Sequence, residues 1–537
     1  MIMRTSLPRA QFVAVFLVLG SAANAQMADP GAPAPSGGSA PAELSSGSGM
    51  LSALDGDAGT NASMGQPPWT IQPRIMLTET LTDNVRVNGS NGRQADQITE
   101  IAPGIRIQAS SARLKGHFDY SLRQQFYAQH PEYERTQNSL NSFATLEAVE
   151  QWLFVDFSGI VAQQPISAFG PQSPGNTSIN SNVTETSTYR LSPYIRGQIA
   201  GVLGYSLRHD ASTTRSASAT ATNLDLSQWS GQLSGGTPFQ RLNWSIDGSQ
   251  SSSEYGNGMQ YDADRVRATA SYLIFPDLRF SLNRGREANN YASANQESRG
   301  THGFGFEWNP TERTTISASK ERRFFGDGHN FSFSHRFPLS SISYTDTKDV
   351  SLLPNQFSRV GQNAAWDQAE RECKLFTPDA TQKEIEDCAI PRVSATQGSS
   401  DFLAARARLQ RRQQLAVAIM GARNSLTLVA HRSESQSLQA NDFLDETTPS
   451  SLIEQKGLSL SLSHRLSPIT NLNLLASRQE SIGNGDASAT NTLYQLGLTS
   501  KLGSRTSGSL TARQSSFESQ NAPRKEHAVI GTISFIY

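Results

Sequence analysis

From Trp69 to Tyr537 apolar and polar residues alternate with a period of two. The clearest run is 113–127. Its even positions are Leu114, Gly116, Phe118, Tyr120, Leu122, Gln124 and Phe126. Its odd positions are Arg113, Lys115, His117, Asp119, Ser121, Arg123, Gln125 and Tyr127. Successive side chains of a strand point to opposite faces, so one face is aromatic and apolar and the other charged. A helix would mix the two sets. The same alternation recurs at Tyr189, Leu191, Pro193 and Ile195, at Leu203, Tyr205 and Leu207, and at Val266, Ala268, Ala270, Tyr272 and Ile274. It returns at Phe304, Phe306 and Trp308, at Leu458, Leu460 and Leu462, and at the final Val529, Gly531, Ile533, Phe535 and Tyr537.

The connections alternate too. Tight turns fall at Ser110-Ser111, Glu150-Gln151, Gly197-Gln198, Thr237-Pro238, Phe275-Pro276-Asp277, Asn309-Pro310-Thr311, Phe337-Pro338-Leu339, Gly421-Ala422 and Ser467-Pro468-Ile469. Proline presets the bend in several of them. Longer polar loops lie between, at 82–97, 163–182, 209–222, 250–262, 287–300, 432–456 and 479–492. Short turns at one end and long loops at the other predict an all-β, transmembrane, antiparallel up-and-down β-barrel of about 22 strands, between about 18 and 24. Periodicity weakens at 313–348 and 400–420.

Composition agrees with this architecture. In 537 residues only 36% are hydrophobic and 17% charged, against about half and about a quarter in ordinary soluble domains. A barrel hides its apolar residues by alternation and needs no continuous greasy run. Past the N-terminus no stretch is long and apolar enough for a spanning helix, and a net charge of -1 gives no basis for binding nucleic acid. Residues 1–25 read as a secretory signal, with Arg4 and Arg9 before the apolar run Phe12–Leu19 and cleavage after Ala25. Residues 26–68, rich in Ala, Pro, Gly and Ser, read as a disordered arm, which leaves 69–537 for the barrel. The expected location is the Gram-negative outer membrane. The expected partners are outer-membrane lipid and the barrel assembly machinery, which would read the terminal strand through Ile533, Phe535 and Tyr537.

Catalytic signals are few. There is no nucleophile elbow, phosphate loop or His-Glu-x-x-His motif, so the expectation is a non-enzyme with no cofactor and no metal. Gly303 and Gly305 read as space for neighbouring aromatics. The nine His are scattered, and His117 and His335 read as lumen residues. Cys373 and Cys388 lie in the longest connection, 349–400, flanking a helix-start segment at Thr377-Pro378-Asp379. In an oxidising compartment they are expected to form a disulfide closing a short helical loop; two free thiols are the alternative. Where register is clear the inward face carries Arg113, Lys115, Arg123, Arg190, Arg196, Arg208, Arg265 and Arg267 against Asp119, Asp210 and Glu307. Two readings stand side by side: a basic lumen favouring anionic solutes, or bases paired with acids assigned to loops.

Several stretches resemble the porin-like outer-membrane β-barrel proteins associated with the PEP-CTERM/exosortase system. They are Ile71–Val85, Trp152–Phe157, Gln163–Gln172, Tyr189–Tyr194 and Phe324–Gly328. The resemblance runs along most of 69–537. It implies a role in exopolysaccharide export or surface assembly, with polysaccharide export components as partners. A general diffusion porin or small-solute channel is the alternative, and a closed structural or adhesive surface barrel the third reading. A loop folded into the barrel as a constriction would favour a channel. A lumen filled by 26–68 or 349–400 would favour a gated or closed barrel.

Overall fold

The computed structural model describes residues 69–86, 93–171, 175–218, 223–293, 295–352, 407–438, 452–483, 487–519 and 523–537. The expected signal segment, its cleavage point at Ala25, the 26–68 arm, and Cys373 and Cys388 with their disulfide lie outside the described residues.

The alternating segments form β1 (Trp69–Thr82), β2 (Asp96–Ser110), β3 (Leu114–Tyr127), β4 (Arg135–Val149), β5 (Leu153–Pro165), β6 (Val183–Ile199) and β7 (Leu203–Ser216). They continue as β8 (Leu224–Gly236), β9 (Leu242–Tyr255), β10 (Gln260–Phe275), β11 (Leu278–Asn289), β12 (Glu297–Thr311), β13 (Thr314–Arg323), β14 (Gly326–Arg336) and β15 (Ser340–Ser351). The remainder are β16 (Arg408–Met420), β17 (Asn424–Ser437), β18 (Leu452–Ser467), β19 (Thr470–Gly483), β20 (Ser488–Lys501), β21 (Thr506–Ser519) and β22 (Arg524–Ile536). Each strand pairs antiparallel with the next, and β22 returns to β1 through Arg74↔Ile536 to Thr82↔Ala528. The result is a closed all-β barrel of 22 strands. Closure leaves no open edge, which is what a sheet needs to stand in hydrocarbon.

Register carries one parity around the whole circle. Ile75 lies opposite Pro103, Ile107 opposite Phe118, Phe157 opposite Leu191, Leu233 opposite Ile246, and Leu77 opposite Ile533. These residues face outward and form an exposed apolar belt. At the turn end the belt finishes in aromatics, including Trp69, Trp152, Phe275, Trp308, Phe337 and Tyr537. Trp152 Nε1 donates to Tyr205 Oη at 3.1 Å, and Trp308 Nε1 to Asp277 at 3.1 Å. Rings with one apolar body and one polar tip suit the water–lipid boundary. The barrel is an outer-membrane barrel, and its surroundings are outer-membrane lipid.

Several sequence boundaries shift. The loops expected at 250–262 and 287–300 shrink to 256–259 and 290–296, and β13 joins β14 through Phe324 and Phe325 alone. The reason is that ladder hydrogen bonds use backbone groups, so strands run past the point where apolar side chains stop. The turn expected at Gly197-Gln198 instead occupies Ala200–Val202, where Ala200 (φ 52°) and Gly201 (φ 70°) take the left-handed conformation. His335 faces outward rather than into the lumen. It lies opposite Ile342, and its ring packs on Phe337 at 4.3 Å. Gly303 faces inward, and a Cβ there would meet the Lys320 carbonyl at 2.3 Å. The space goes to the neighbouring backbone rather than to aromatics.

The closing seam has an electrostatic latch at its loop end. Asp83 accepts from the His527 backbone N at 2.7 Å, from His527 Nδ1 at 2.9 Å and from Arg93 Nη1 at 3.1 Å. Burial opposes its charge, but His527 and Arg93 outweigh burial and hold the carboxyl below its ordinary value of 3.8. With a depressed folded value, the latch is complete above the ordinary value and is lost as pH falls through the folded one. Lowering pH from about 6 to about 2 should reduce the protection of the His527 amide relative to its intrinsic exchange rate at each pH, with no such step in Asp83→Asn. The same pH response in both proteins would remove Asp83 from the role.

Candidate functional site: the lumen wall and its inward loop

Alternate residues of every strand line the lumen. Lys115 and Arg123 on β3, Arg190 and Arg196 on β6, Arg208 on β7, and Arg265 and Arg267 on β10 all face inward, as the alternation predicts. Arg113 does not. Ser111 N donates to the Leu114 carbonyl and closes the turn before the strand starts, so Arg113 sits exposed at the turn end.

Several of these bases have inward carboxylates beside them. Arg190 Nη2 lies 2.5 Å from Asp210, and Arg208 bridges Asp156 at 2.6 Å and Asp210 at 3.0 Å. Arg265 pairs with Glu321, and Arg267 reaches Asp247 at 3.3 Å and Glu321 at 3.6 Å. Three further clusters join them: Arg74 and Arg106 on Asp119, Arg323 on Glu287 at 3.0 Å, and Arg513 on Glu526 at 2.9 Å. The partner acids Asp156, Asp247 and Glu321 stand on strands, not in loops. Cross-strand pairing sets these partners, and sequence alone lacks the strand-to-strand register. Arg196 instead covers the Phe154 ring at 4.4 Å, and that ring stacks on Tyr194 at 5.1 Å.

The opposite arc is different. From β16 to β21 no inward position carries Asp or Glu. The wall there is mostly Ser, Thr, Asn and Gln, with apolar residues such as Val429, Ile453, Leu475 and Phe517 among them and with Arg408, Arg412, Arg465, Lys501 and Arg513 as its cations. Among the described strand positions, inward carboxylates are thus confined to β22 and to the strands from β1 to β15, while β16–β21 carry none.

The β5–β6 connection turns into the barrel through its described parts, 166–171 and 175–182. Its base is held by asparagines: Asn182 Oδ1 accepts from Ser167 N at 2.9 Å, and Asn180 Nδ2 donates to the Pro171 carbonyl at 2.7 Å. Its tip reaches the inner faces of β3 and β4. The Asn176 carbonyl accepts from Gln125 and Gln137 at 3.3 Å each and from Arg135 Nη2 at 2.5 Å. Arg135 also donates to the Ser178 carbonyl at 3.1 Å, and Tyr127 Oη donates to the Thr177 carbonyl at 2.7 Å. Ile179 N donates to the Val85 carbonyl at 2.8 Å, and Ile179 packs on the buried Val85, Ile98 and Tyr127. On the far side Gly175 touches Arg513 so closely that a Cβ there would lie 2.5 Å from its guanidinium. Residues 175–178 thus reach from the inner faces of β3 and β4 to Arg513 on β21. By sequence 163–182 reads only as one of the longer polar loops. Its signals were the paired Asn180 and Asn182 and the apolar Ala168 and Ile179 within a polar run.

Arg513 is fixed by Glu526, which also accepts from Thr82 Oγ1 at 3.0 Å and Ser515 Oγ at 3.1 Å. Arg513 and Glu526 side chains are 4% and 9% exposed. Glu526→Ala leaves a buried guanidinium without its carboxylate, which costs about 3–5 kcal/mol. The midpoint of heat-induced loss of the folded gel band should fall markedly; an unchanged midpoint would show that the pair does not hold the wall.

At the loop end of β8–β11 a second cluster is apolar: Leu224, Leu226, Tyr255, Tyr261, Tyr291, Leu352 and Ala407. Burial pushes the Tyr291 phenol, in the β11–β12 connection, up to about 12 despite help from Ser251 and Arg323. These rings pack the mouth and are too buried to serve as an open binding surface. Among the described residues no group of three or more His, Cys, Asp or Glu is placed to hold a metal.

No family model matches the chain, and no curated sequence matches it. Solved structures do. The FrpB iron transporter of Neisseria meningitidis aligns at 9% identity over 88% of this chain and 81% of its own, with a TM-score of 0.48. The siderophore receptor PirA of Pseudomonas aeruginosa aligns at 8% identity over 86% and 80%, TM-score 0.42. PirA of Acinetobacter baumannii aligns at 6% over 87% and 80%, TM-score 0.45. Likeness at this level shows the barrel fold alone. The expected kinship with PEP-CTERM/exosortase-associated barrels is corrected by the comparisons: no family model matches the chain, and the solved structures that align with it are siderophore and iron receptors. The expected exopolysaccharide role and its export partners fall with that kinship, since the resemblance alone carried them.

Proposed function

We propose that the protein is a non-enzymatic outer-membrane channel for small polar solutes, favouring anions. The observation that supports this best is the inward course of 166–171 and 175–182. Its tip carbonyls at Asn176, Thr177 and Ser178 are held by Gln125, Gln137, Arg135 and Tyr127, and Gly175 adjoins Arg513. A loop held this way narrows the lumen without sealing the wall. The inward strand positions from β16 to β21 carry no carboxylate, and their cations Arg465 and Lys501 stand at the turn end, where they can focus the field on an anion. The paired clusters on the other side hold local charge near balance.

The terminal strand supports the assembly route. Ile533, Phe535 and Tyr537 face outward at the seam with β1, where the assembly machinery would read them during closure. Purified protein in planar bilayers tests the reading. Discrete conductance steps with an anionic reversal potential are expected. Silence across the accessible voltage range would favour a closed structural barrel.

A further inference from the structure

Weak periodicity at 313–348 has a cause on the outer surface. Above the apolar belt, outward positions of neighbouring strands are charged. On β11 they run Phe280, Leu282, Arg284, Arg286; on β12 Phe306, Phe304, His302, Gly300; on β13 Ile316, Ala318, Lys320, Arg322. Register sets Arg284 beside His302, and His302 beside Arg322. Three nitrogen-bearing side chains therefore stand in one row across three strands. Arg286 lies one outward position above the row and Lys320 one below.

Few acids meet this group. Asp327 on β14 takes both Lys320 Nζ, at 2.9 Å, and Arg322 Nη1, at 3.3 Å. On the other flank β10 sets Ala268 beside Arg284 and Val266 beside Arg286. Arg286 Nε donates to Ser298 Oγ at 2.6 Å. Among the described residues neither Arg284 nor Arg286 has an ion-pair partner, so the row has room for an anion from outside the chain. The outward cations of β17 and β18 are matched: Arg432 lies 2.8 Å from Glu434 and 2.6 Å from Glu454, and Lys456 lies 3.1 Å from Glu454.

Directly below the row, Leu282 and Phe304 are 56% and 50% exposed, with Phe280 and Phe306 beneath them. A cationic row over an apolar bed, at the loop end of a membrane barrel, fits an amphiphile with an anionic head and acyl chains. The loop end faces the cell exterior in such barrels, where the outer leaflet is built of phosphorylated glycolipid. We propose that Arg284, Arg286 and Arg322 bind the phosphorylated sugar head of an outer-leaflet glycolipid, with its acyl chains on Leu282 and Phe304. Guanidinium suits phosphate because its fork of donors engages two oxygens at once. The site depends on the barrel's orientation in the membrane and not on the lumen's role.

Native mass spectrometry of the purified full chain tests it, titrated separately with bisphosphorylated lipid A, dephosphorylated lipid A and inorganic phosphate. The bisphosphorylated form should bind, and the Arg284→Gln/Arg286→Gln/Arg322→Gln variant should bind it about tenfold more weakly or worse. Arg432→Gln/Lys456→Gln, which removes matched cations, should leave binding unchanged. Retention of the folded gel band by both variants separates lost binding from lost fold. Wild-type affinity in the triple variant, or equal binding of dephosphorylated lipid A, would overturn the proposal. Inorganic phosphate competing fully for the site would assign it to a free anion instead.

Discussion

Arg135→Ala should raise the single-channel conductance of the purified barrel several-fold and admit larger uncharged sugars. Arg135 is the cation that holds the inward loop. Its guanidinium donates to the Asn176 and Ser178 carbonyls and, through Nε, to Gln125 Oε1 at 3.0 Å. Hydrogen bonds to a charged group contribute about 1.5–3 kcal/mol each. Losing two, with partial replacement by water, costs the docked loop roughly 3 kcal/mol. At about 1.4 kcal/mol per tenfold, that shifts docked against undocked loop by about a hundredfold. Gln125, Gln137 and Tyr127 retain weaker holds, so Arg135→Ala combined with Tyr127→Phe should open it further. Arg196→Ala removes a cation that covers Phe154 and touches none of the loop's anchors, and conductance there should match wild type. If Arg135→Ala has wild-type conductance and size cut-off, residues 166–182 are not the constriction.

Reversing charge on the acid-free arc should invert ion preference. Arg465 and Lys501 face the lumen at the turn end of β18 and β20, strands whose inward faces carry no Asp or Glu. Under a potassium chloride gradient the wild-type reversal potential should have the anionic sign. Arg465→Glu/Lys501→Glu should move it towards or past zero. The shift should be large at low salt and fade as the screening length falls from about 10 Å at 0.1 M to about 3 Å at 1 M. A cation-preferring wild type, or a variant with an unmoved reversal potential, would remove the arc from selectivity. The same reversal at Arg190 or Arg265 would be a poor test, because each pairs with a carboxylate and reversal would put two like charges together.

Much of the wall was legible before any coordinates. Alternation over 113–127 assigned Lys115 and Arg123 to the lumen and Phe118 and Leu122 to lipid, and the register agrees. Where alternation is read from lipid-facing residues it fails when those residues are themselves charged. This is why β13–β15 looked irregular, with Lys320, Arg322, Asp346 and Lys348 on the outer face. Arg113 was assigned one residue beyond the strand because a turn residue continues the parity without sharing the ladder. The family resemblance misled more seriously, since short apolar-alternating stretches recur in any membrane barrel and carry no substrate information.

The sequence by itself determined the architecture: a period of two, turns alternating with longer connections, and a strand count of about 22. Lipid and water select side chains position by position, so that information is local and survives in one dimension. The tertiary structure alone decided the rest. Which carboxylate meets Arg208 or Arg265 depends on strands brought together by register. Whether 166–182 turns inward depends on Arg135, Tyr127 and Arg513 converging from β4, β3 and β21. The arc without acids exists only once the sheet has closed and its strands share one wall. Each of these is a relation between residues far apart in the chain, and backbone closure creates it.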